Sequence, residues 1–367
     1  KLPLAVASTL SLPLSTLAAP ATLVFDAESL RDALANGDTK IVIQGGSGIL
    51  AINETLEYAG TAPLTIKGNG AEIVDAGISD GGPILYSSAG ADLAISNLTL
   101  RGPGGYGLSN QGGGKGIFVQ VPPGREGVVS VKLRKVSVVD TGNHGVHVSD
   151  CSLGDDCGAG QGGGGQGSAA SVWVDLKSVT IDGVGFGKQD ADGVRVDDRG
   201  DGDIIFTAAN SRFVNVGADG VELDEGNEGS VQVSVRNLRF DSNGAYCDPA
   251  VLKPFLAGFL DGQPDEDEFE PGEVFPEDLK GAVTGSPDDI CIEYEIDLYD
   301  NGSVEAYEYG IDVDDAFDID EDGPGGIAGI LTNLVIVDNL DEGLDFDTAG
   351  TDGDNFVDLG MSRVRAS

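Results

Sequence analysis

The apolar positions of this chain fall in short alternating runs that recur at a fixed spacing. Asn97-Leu98-Thr99-Leu100, Asn210-Ser211-Arg212-Phe213 and Asn333-Leu334-Val335-Ile336 each begin such a run with an asparagine, and a glycine ten residues after the asparagine, Gly107, Gly220 or Gly343, opens a second one. Lys135-Val136-Ser137-Val138 keeps the same offset to Gly145 without the asparagine. The spacing is 27 residues in each of four comparisons (237 − 210, 333 − 306, 220 − 193 and 343 − 316). Alternation with period two predicts strands with one face on a core. A fixed interval of this length, built from short strands and glycine turns, predicts a stacked repeat coil with its function displayed on the outside.

Other elements fit into this frame. Asp26 to Leu34 reads as a short amphipathic helix, apolar at Ala27, Leu30, Ala33 and Leu34 and stopped by Asn36-Gly37. The first strand is expected over 37–43, and Leu64-Thr65-Ile66-Lys67 follows with a turn at Gly68-Asn69-Gly70. Two segments break the rhythm: a Gly-rich excursion over 154–167, and an insertion over 248–290 with an apolar piece (Val251 to Leu260) and an acidic, proline-bearing one (Asp265 to Pro271). After the insertion, Ile292–Tyr299 and Ser303–Tyr309 read as strands joined by a tight turn at Asp300-Asn301-Gly302, the second rejoining the coil near Ala306. Capping helix, first rungs and the asparagine column Asn97, Asn210, Asn237 and Asn333 together resemble the right-handed parallel β-helices of the pectin-lyase-like class. That resemblance implies an all-β fold, a right-handed parallel β-helix solenoid with a short N-terminal capping helix and one large insertion, and asparagine amides bonded along a column.

Aligning the second strands by their opening residue gives Gly145-Val146-His147-Val148-Ser149, Gly193-Val194-Arg195-Val196-Asp197, Gly220-Val221-Glu222-Leu223-Asp224, Ala316-Phe317-Asp318-Ile319-Asp320 and Gly343-Leu344-Asp345-Phe346-Asp347. Alternation sends the apolar members inward and predicts two outer columns. One holds His147, Arg195, Glu222, Asp318 and Asp345, and the other Ser149, Asp197, Asp224, Asp320 and Asp347. A third, before the glycine, holds His144, Asp192, Asp219, Asp315 and Glu342. Rungs about 4.8 Å apart leave stacked carboxylates repelling by roughly 1 kcal/mol per pair in bulk water and several-fold more near a protein surface. Bound cations would offset this, and hard oxygen ligands suit Ca²⁺. The expected ligands are Asp192, Asp197, Asp219, Asp224, Asp315, Asp318, Asp320, Asp345 and Asp347. A solvated acidic surface, as in proteins kept soluble in high salt, is the alternative. Asp318 to Gly323 matches the opening of an EF-hand loop, but Gly329 stands where the bidentate glutamate belongs. No nine-residue repeat supports a Ca²⁺-binding nonapeptide coil.

Charge narrows the partners. With 62 Asp+Glu against 21 Lys+Arg and a net charge of -41, nucleic acid and anionic membranes are disfavoured as partners, and cations, neutral glycans or basic surfaces are the natural ones. No run approaches the roughly 18 apolar residues of a membrane span. Residues 1–21 have the charge, apolar run and small residues of an export signal cleaved near Ala21, which leaves 22–367 as a single coil domain in a secreted or periplasmic setting. The final strand, Met361 to Ser367, has no polar cap, as if the natural chain continues. The four cysteines suit an oxidising compartment. Of three possible pairings, Cys151–Cys157 and Cys247–Cys291 are favoured; no second Cys pair or His cluster supports zinc.

An enzyme is the competing reading: a Ca²⁺-dependent polysaccharide lyase, which needs a base and a neutraliser for the uronate carboxylate, or a glycoside hydrolase. His147, Arg195 and Glu222 form the only mixed outer cluster and are the catalytic candidates; a purely structural exposed position is the alternative. Val172-Trp173-Val174-Asp175-Leu176 resembles one pectate-lyase segment without its histidine, and Asp190-Ala191-Asp192-Gly193 with Asp197-Asp198 resembles two polygalacturonase segments, whose G-H-G and R-x-K partners have no counterpart. Neither catalytic set transfers. The expectation is therefore an exported acidic coil that binds cations and a polysaccharide or cell-surface ligand.

Overall fold

A computed structural model describes residues 20–44, 48–79, 81–107, 114–151, 167–252, 267–269, 291–298, 304–311, 314–321, 323–348 and 356–367. The chain builds two long parallel sheets by visiting them in turn. The first includes Lys40–Ile43, Leu64–Asp75, Leu93–Arg101, Glu126–Val139, Ala169–Lys177, Ile204–Ala209, Val231–Asp241 and Gly326–Val337. The second stacks Leu56–Tyr58, Leu85–Ser87, Ile117–Gln120, Val146–Ser149, Val194–Asp198, Val221–Glu225, Phe317–Glu321 and Asp347–Thr348, spatial order following chain order. Between the sheets lies one continuous apolar core. It is aliphatic through most of its length and aromatic lower down, where Phe213 stacks on Phe240 at 5.0 Å and Phe317 lies 5.9 Å from both Phe206 and Phe240. This all-β, parallel arrangement is compatible with the coil expected from the sequence.

The asparagines bend strands rather than end them. In Leu93–Arg101 the in-out alternation slips at Ser96-Asn97, where two successive residues face outward, and Asn97 takes the left-handed conformation at φ 53°. Asn210, Asn237 and Asn333 do the same (φ 54°, 55° and 59°), as do Asn69, Lys135, Ser178 and Arg363. Asparagine tolerates this region because its short polar side chain bonds locally. Three form a ladder: Asn237 Nδ2 donates to Asn210 Oδ1 (2.9 Å) and Asn333 Nδ2 to Asn237 Oδ1 (2.8 Å). Asn97 is separated from that ladder by the rungs that carry Lys135 and Ser178.

The helix forms at Ala27–Ala35, its N-terminus closed by a capping box of Asp26 with Ser29, and it buries Leu30, Ala33 and Leu34. The chain's first described strand is Thr22–Val24, parallel to Lys40–Ile43, an element missed in the sequence. Two further expectations need correction. The run after Asn97 opens at Gly116, which precedes Ile117–Gln120, whereas Gly107 lies in a loop clasped by the Tyr246 hydroxyl (3.1 Å); that loop is longer than its counterparts, so the ten-residue offset fails there. Val304–Ile311 does not rejoin the stack but pairs antiparallel with Ile292–Leu298 and Asp267–Phe269 in a separate small sheet. Parallel register resumes at Phe317, against Val221.

Cys247 is bonded to Cys291, while Cys157, residues 1–19, most of 154–167 and most of 248–290 lie outside the described residues. No described cysteine is free, and no described helix is long and apolar enough to cross a membrane. Asn237 accepts one ladder bond and donates the other at positive φ, so Asn237→Ala is expected to lower stability by about 1–3 kcal/mol, read as a shift in the urea midpoint without a change in slope.

Candidate functional site

The outer columns form in the expected register on the second sheet. His147 pairs with Arg195, Arg195 with Glu222 and Glu222 with Asp318; beside them run Ser149, Asp197, Asp224, Asp320 and Asp347. Their surroundings differ from the expectation. His147 is 1 % exposed, Arg195 6 %, Glu222 5 %, Asp197 1 % and Asp224 0 %. Strand periodicity assigns a side chain to a face but carries no information on whether that face is covered, so an open acidic surface was anticipated along the whole length where the upper rungs form a buried polar layer; lower down Asp318 and Asp320 are half-buried and Asp345 and Asp347 exposed.

Burial forces this layer to satisfy its charges internally. Lys115 Nζ lies 2.6 Å from His147 Nδ1, and His147 Nε2 lies 2.5 Å from Asp197 Oδ2. Arg195 Nε donates to Asp197 Oδ1 (2.7 Å), while its Nη1 bonds Glu222 and lies 3.3 Å from Asp190 and 3.6 Å from Asp192. Arg199, one rung edge away, bonds Asp224. The three catalytic candidates thus meet, but as members of one interlocked chain from Lys115 to Glu222. Lys115 and Arg199 were missed in the sequence, and only their spatial approach identifies them; Asp190 had been noted there only as part of the Asp190-Ala191-Asp192-Gly193 segment.

Titration follows from this packing. Burial and the Lys115 ammonium push His147 down to about 4 against the opposing pull of Asp197, and burial with the neighbouring His147 pushes His144 well below its ordinary value. Both are neutral imidazoles. Although burial alone would raise it, Arg195 and His147 hold Asp197 well below the usual carboxylate range. Glu222 bonds Arg195 yet is pushed well up, first by burial and then by Asp192, Asp190 and Asp219. The two facts are compatible, because one guanidinium faces Asp190, Asp192, Asp197, Glu222 and Asp224 and neutralises a single charge.

The third column has a structural task the sequence did not reveal. The Asp192 N–H donates to His144 Nδ1 (2.9 Å), the Asp219 N–H to Asp192 Oδ1 (3.1 Å) and the Asp315 N–H to Asp219 Oδ1. Each side chain closes the backbone of the next rung, which answers the need for partners of buried amides.

Lower down, the arginines give out. Asp315, Asp318 and Asp345 bring one oxygen each within 4.8 Å of one another, and Glu222, Asp318 and Asp320 do likewise. Asp315 is pushed up to about 8 by burial and then by Asp345, Asp341 and Glu342. Asp318 is pushed well up by burial and then by Asp315, Asp345, Asp347 and Asp224. The charges that act most strongly on both are carboxylates. Of the nine expected ligands, Asp315, Asp318, Asp320 and Asp345 fall in these two groups; Asp192 joins a group with Asp190 and Glu222 already served by Arg195. Asp197 and Asp224 are held by arginine, Asp219 carries the backbone ladder, and Asp347 stacks on Asp320.

Two outcomes test this arrangement. The ring protons of His144 and His147 are expected to show no titration by NMR between pH 8 and 5, and because the folded pKa lies below the unfolded one, the stability tied to His147 is full above about 6.5 and is lost as pH falls toward about 4. Arg195→Met strands several buried carboxylates and is expected to cost about 3–5 kcal/mol, measured by denaturant unfolding. Comparison with protein families, curated proteins and solved structures finds no match to this chain, so its function is argued from this geometry.

Proposed function

We propose that the chain is an exported right-handed parallel β-helix of pectin-lyase-like architecture that binds a cation on the acidic side of its second sheet, with Ca²⁺ the best-suited ion, and that the bound cation supports contact with a polysaccharide or cell surface. The observation that carries this reading is the pair of carboxylate groups sharing Asp318. Asp315, Asp318 and Asp345 converge within 4.8 Å, a spacing that fits oxygens placed around an ion at about 2.3–2.6 Å. Higher on the same sheet a guanidinium stands among the carboxylates; around Asp315 and Asp318 the strongest neighbours are acids. A divalent ion would supply there the charge that Arg195 supplies above. The extracytoplasmic setting is supported by the Cys247–Cys291 disulfide, and the glycan or surface partner by a net charge of -41 that disfavours anionic partners.

Catalysis is not assigned. His147, Arg195 and Glu222 are buried and engaged with Lys115, Asp197 and one another, and no feature of the site favours a lyase or hydrolase over a binding role.

Calorimetric titration of Ca²⁺ into chelator-stripped protein in high NaCl tests the reading, with melting followed in parallel. Saturable heat and a melting temperature that rises with Ca²⁺ are expected; a ligand at a hundred times its Kd adds about 2.7 kcal/mol. Asp318→Asn is expected to melt higher than wild type without Ca²⁺, because it removes repulsion, and to lose most of the gain on adding Ca²⁺. Absence of heat in the wild type would leave a solvated acidic surface on a structural coil.

A further inference from the structure

The acids behind the net charge of -41 are not spread evenly, and one ridge of the molecule carries almost none. It follows the bend of the first sheet, where three outward columns stack in register from Leu64–Asp75 down to Phe356–Ser362 and Arg365–Ala366: one just before the left-handed residues, one formed by them, and one just after. The first carries Lys67, Arg134, Lys177 and Arg236, with Ser96 between Lys67 and Arg134, Arg134 directly on Lys177, and Ala209 between Lys177 and Arg236. The bend column adds Lys135 and Arg363 among its asparagines. The third adds Arg212 directly on Arg239, and Arg365 below Val335. These groups of four, two and three make nine of the chain's 21 Lys+Arg, against one of its 62 Asp+Glu, Glu72. That glutamate is already bonded by Arg101 (2.6 Å).

All of these cations except Arg134 are exposed. Carboxylates that border the ridge hold two of them, Asp175 bonding Arg134 and Asp241 bonding Arg239; Asp182, on the same border, accepts from Asn215 Nδ2 (3.1 Å). Among the described residues Lys67, Lys135, Lys177 and Arg236 enter no ion pair. Between the cations stand groups that both donate and accept hydrogen bonds: the hydroxyls of Ser96, Thr99, Ser137 and Thr180, the last accepting from Arg212 Nε (3.2 Å), and the bend asparagines. No aromatic ring lies in any of the three columns.

Cations stacked at rung spacing repel one another as the acids of the second sheet do, and a line of anions laid along the columns is their complement. We propose that this ridge docks a linear sulfated polysaccharide, held by Lys67, Arg134, Lys177 and Arg236 with Arg212 and Arg239 beside them. Eight rungs at about 4.8 Å give a track of about 34 Å, which suits a polymer rather than a single small anion. The net charge of the whole chain does not cancel the track, because exposed charges farther apart than about 8 Å are screened at physiological salt. A sulfate ester stays ionised across the pH range of the fold and offers three terminal oxygens. Cations in neighbouring columns, Arg134 beside Lys135 and Arg236 across the bend from Arg239, can meet those oxygens from different directions. Sugar hydroxyls find partners in the serines, threonines and asparagines between the cations. Single-stranded nucleic acid fits less well, since it is held by aromatic platforms that the ridge lacks. The site lies across the core from the carboxylates around Asp318 and does not depend on a cation there.

Binding of dextran sulfate, with unmodified dextran as the neutral control, is measured by calorimetry in metal-free buffer at about 0.15 M NaCl, so that no ion on the second sheet contributes. The wild type is expected to bind dextran sulfate and not dextran, with an affinity that falls as salt rises. Lys177→Gln combined with Arg236→Gln removes two exposed cations without ion pairs; it is expected to melt with the wild type and to bind about tenfold more weakly. Lys67→Gln combined with Arg212→Gln is the second pair, with the same expectation. No binding by the wild type, equal affinity for dextran, equal affinity in wild type and both pairs, or a lowered melting temperature in both pairs would overturn the docking ridge. Alginate bound more tightly than dextran sulfate would overturn the choice of sulfate over carboxylate, and oligothymidine of matched charge bound as tightly would overturn the choice of a glycan. So would light scattering that shows a wild-type dimer abolished in both pairs, because the acidic surface of a second copy would then be the occupant.

Discussion

In-register parallel pairing governs this molecule. Each rung lies about 4.8 Å above the next, and the recorded partners place equivalent residues over one another: Val148 on Val196, Asp197 on Asp224, Asp224 on Asp320, Asp320 on Asp347. For apolar residues this is favourable, because each rung completes the burial of its neighbour. For asparagine it is favourable too, since an amide both donates and accepts, and Asn210, Asn237 and Asn333 chain together through single bonds. For carboxylates the same geometry is costly, and more so when the layer is buried, because the repulsion grows as the effective dielectric falls. The chemistry of the second sheet follows from relieving that cost.

The relief takes different forms along the stack. At the top, His144 and His147 occupy positions that are acidic lower down, and both are neutral. In the middle, Arg195 and Arg199 are threaded among Asp197, Glu222 and Asp224. A guanidinium suits this position because its fixed fork of donors reaches several oxygens in different rungs, whereas an ammonium acts as a point charge. The third column avoids repulsion by turning each acid toward the next backbone amide. Below Glu222 no arginine continues the series in the outer column, and Asp318 and Asp345 follow each other directly. An added cation and retained protons are the two remaining means of balancing that part of the surface.

Much of this was legible in the sequence. Alternation and the 27-residue spacing placed Val146, Val194, Val221 and Phe317 inward and aligned His147, Arg195, Glu222 and Asp318 in the register found. Errors arose where local pattern was extended across a loop. Gly107 was matched to Gly145 by counting, although Gly116 occupies that place, and Ala306 was matched to Asn333 although its strand belongs to an antiparallel sheet. Burial of the polar columns could not be read, because periodicity describes the strand and not what lies over it. At Gly202, Gly229 and Gly325 a Cβ would first meet the backbone carbonyl oxygen of Ala170, Gly202 or Gly229, a close approach between rungs that no local pattern reveals.

Two parts of one buried layer therefore respond to pH in opposite directions. Neutral His147 and ionised Asp197 form a pair whose stabilisation is lost in acid, because the folded protein binds fewer protons there than the unfolded chain. Asp192, pushed up to about 7, and Asp315, pushed up to about 8, bind more protons when folded and lose their contribution as pH rises. Stability bounded on both sides needs no dedicated sensor; it follows from stacking histidine, arginine and carboxylate in the same columns. A cation at Asp318 would act on only one of these limits. By replacing protons around Asp315 and Asp318 it would extend the alkaline limit and leave the acid limit, set by His147 and Asp197, where it is.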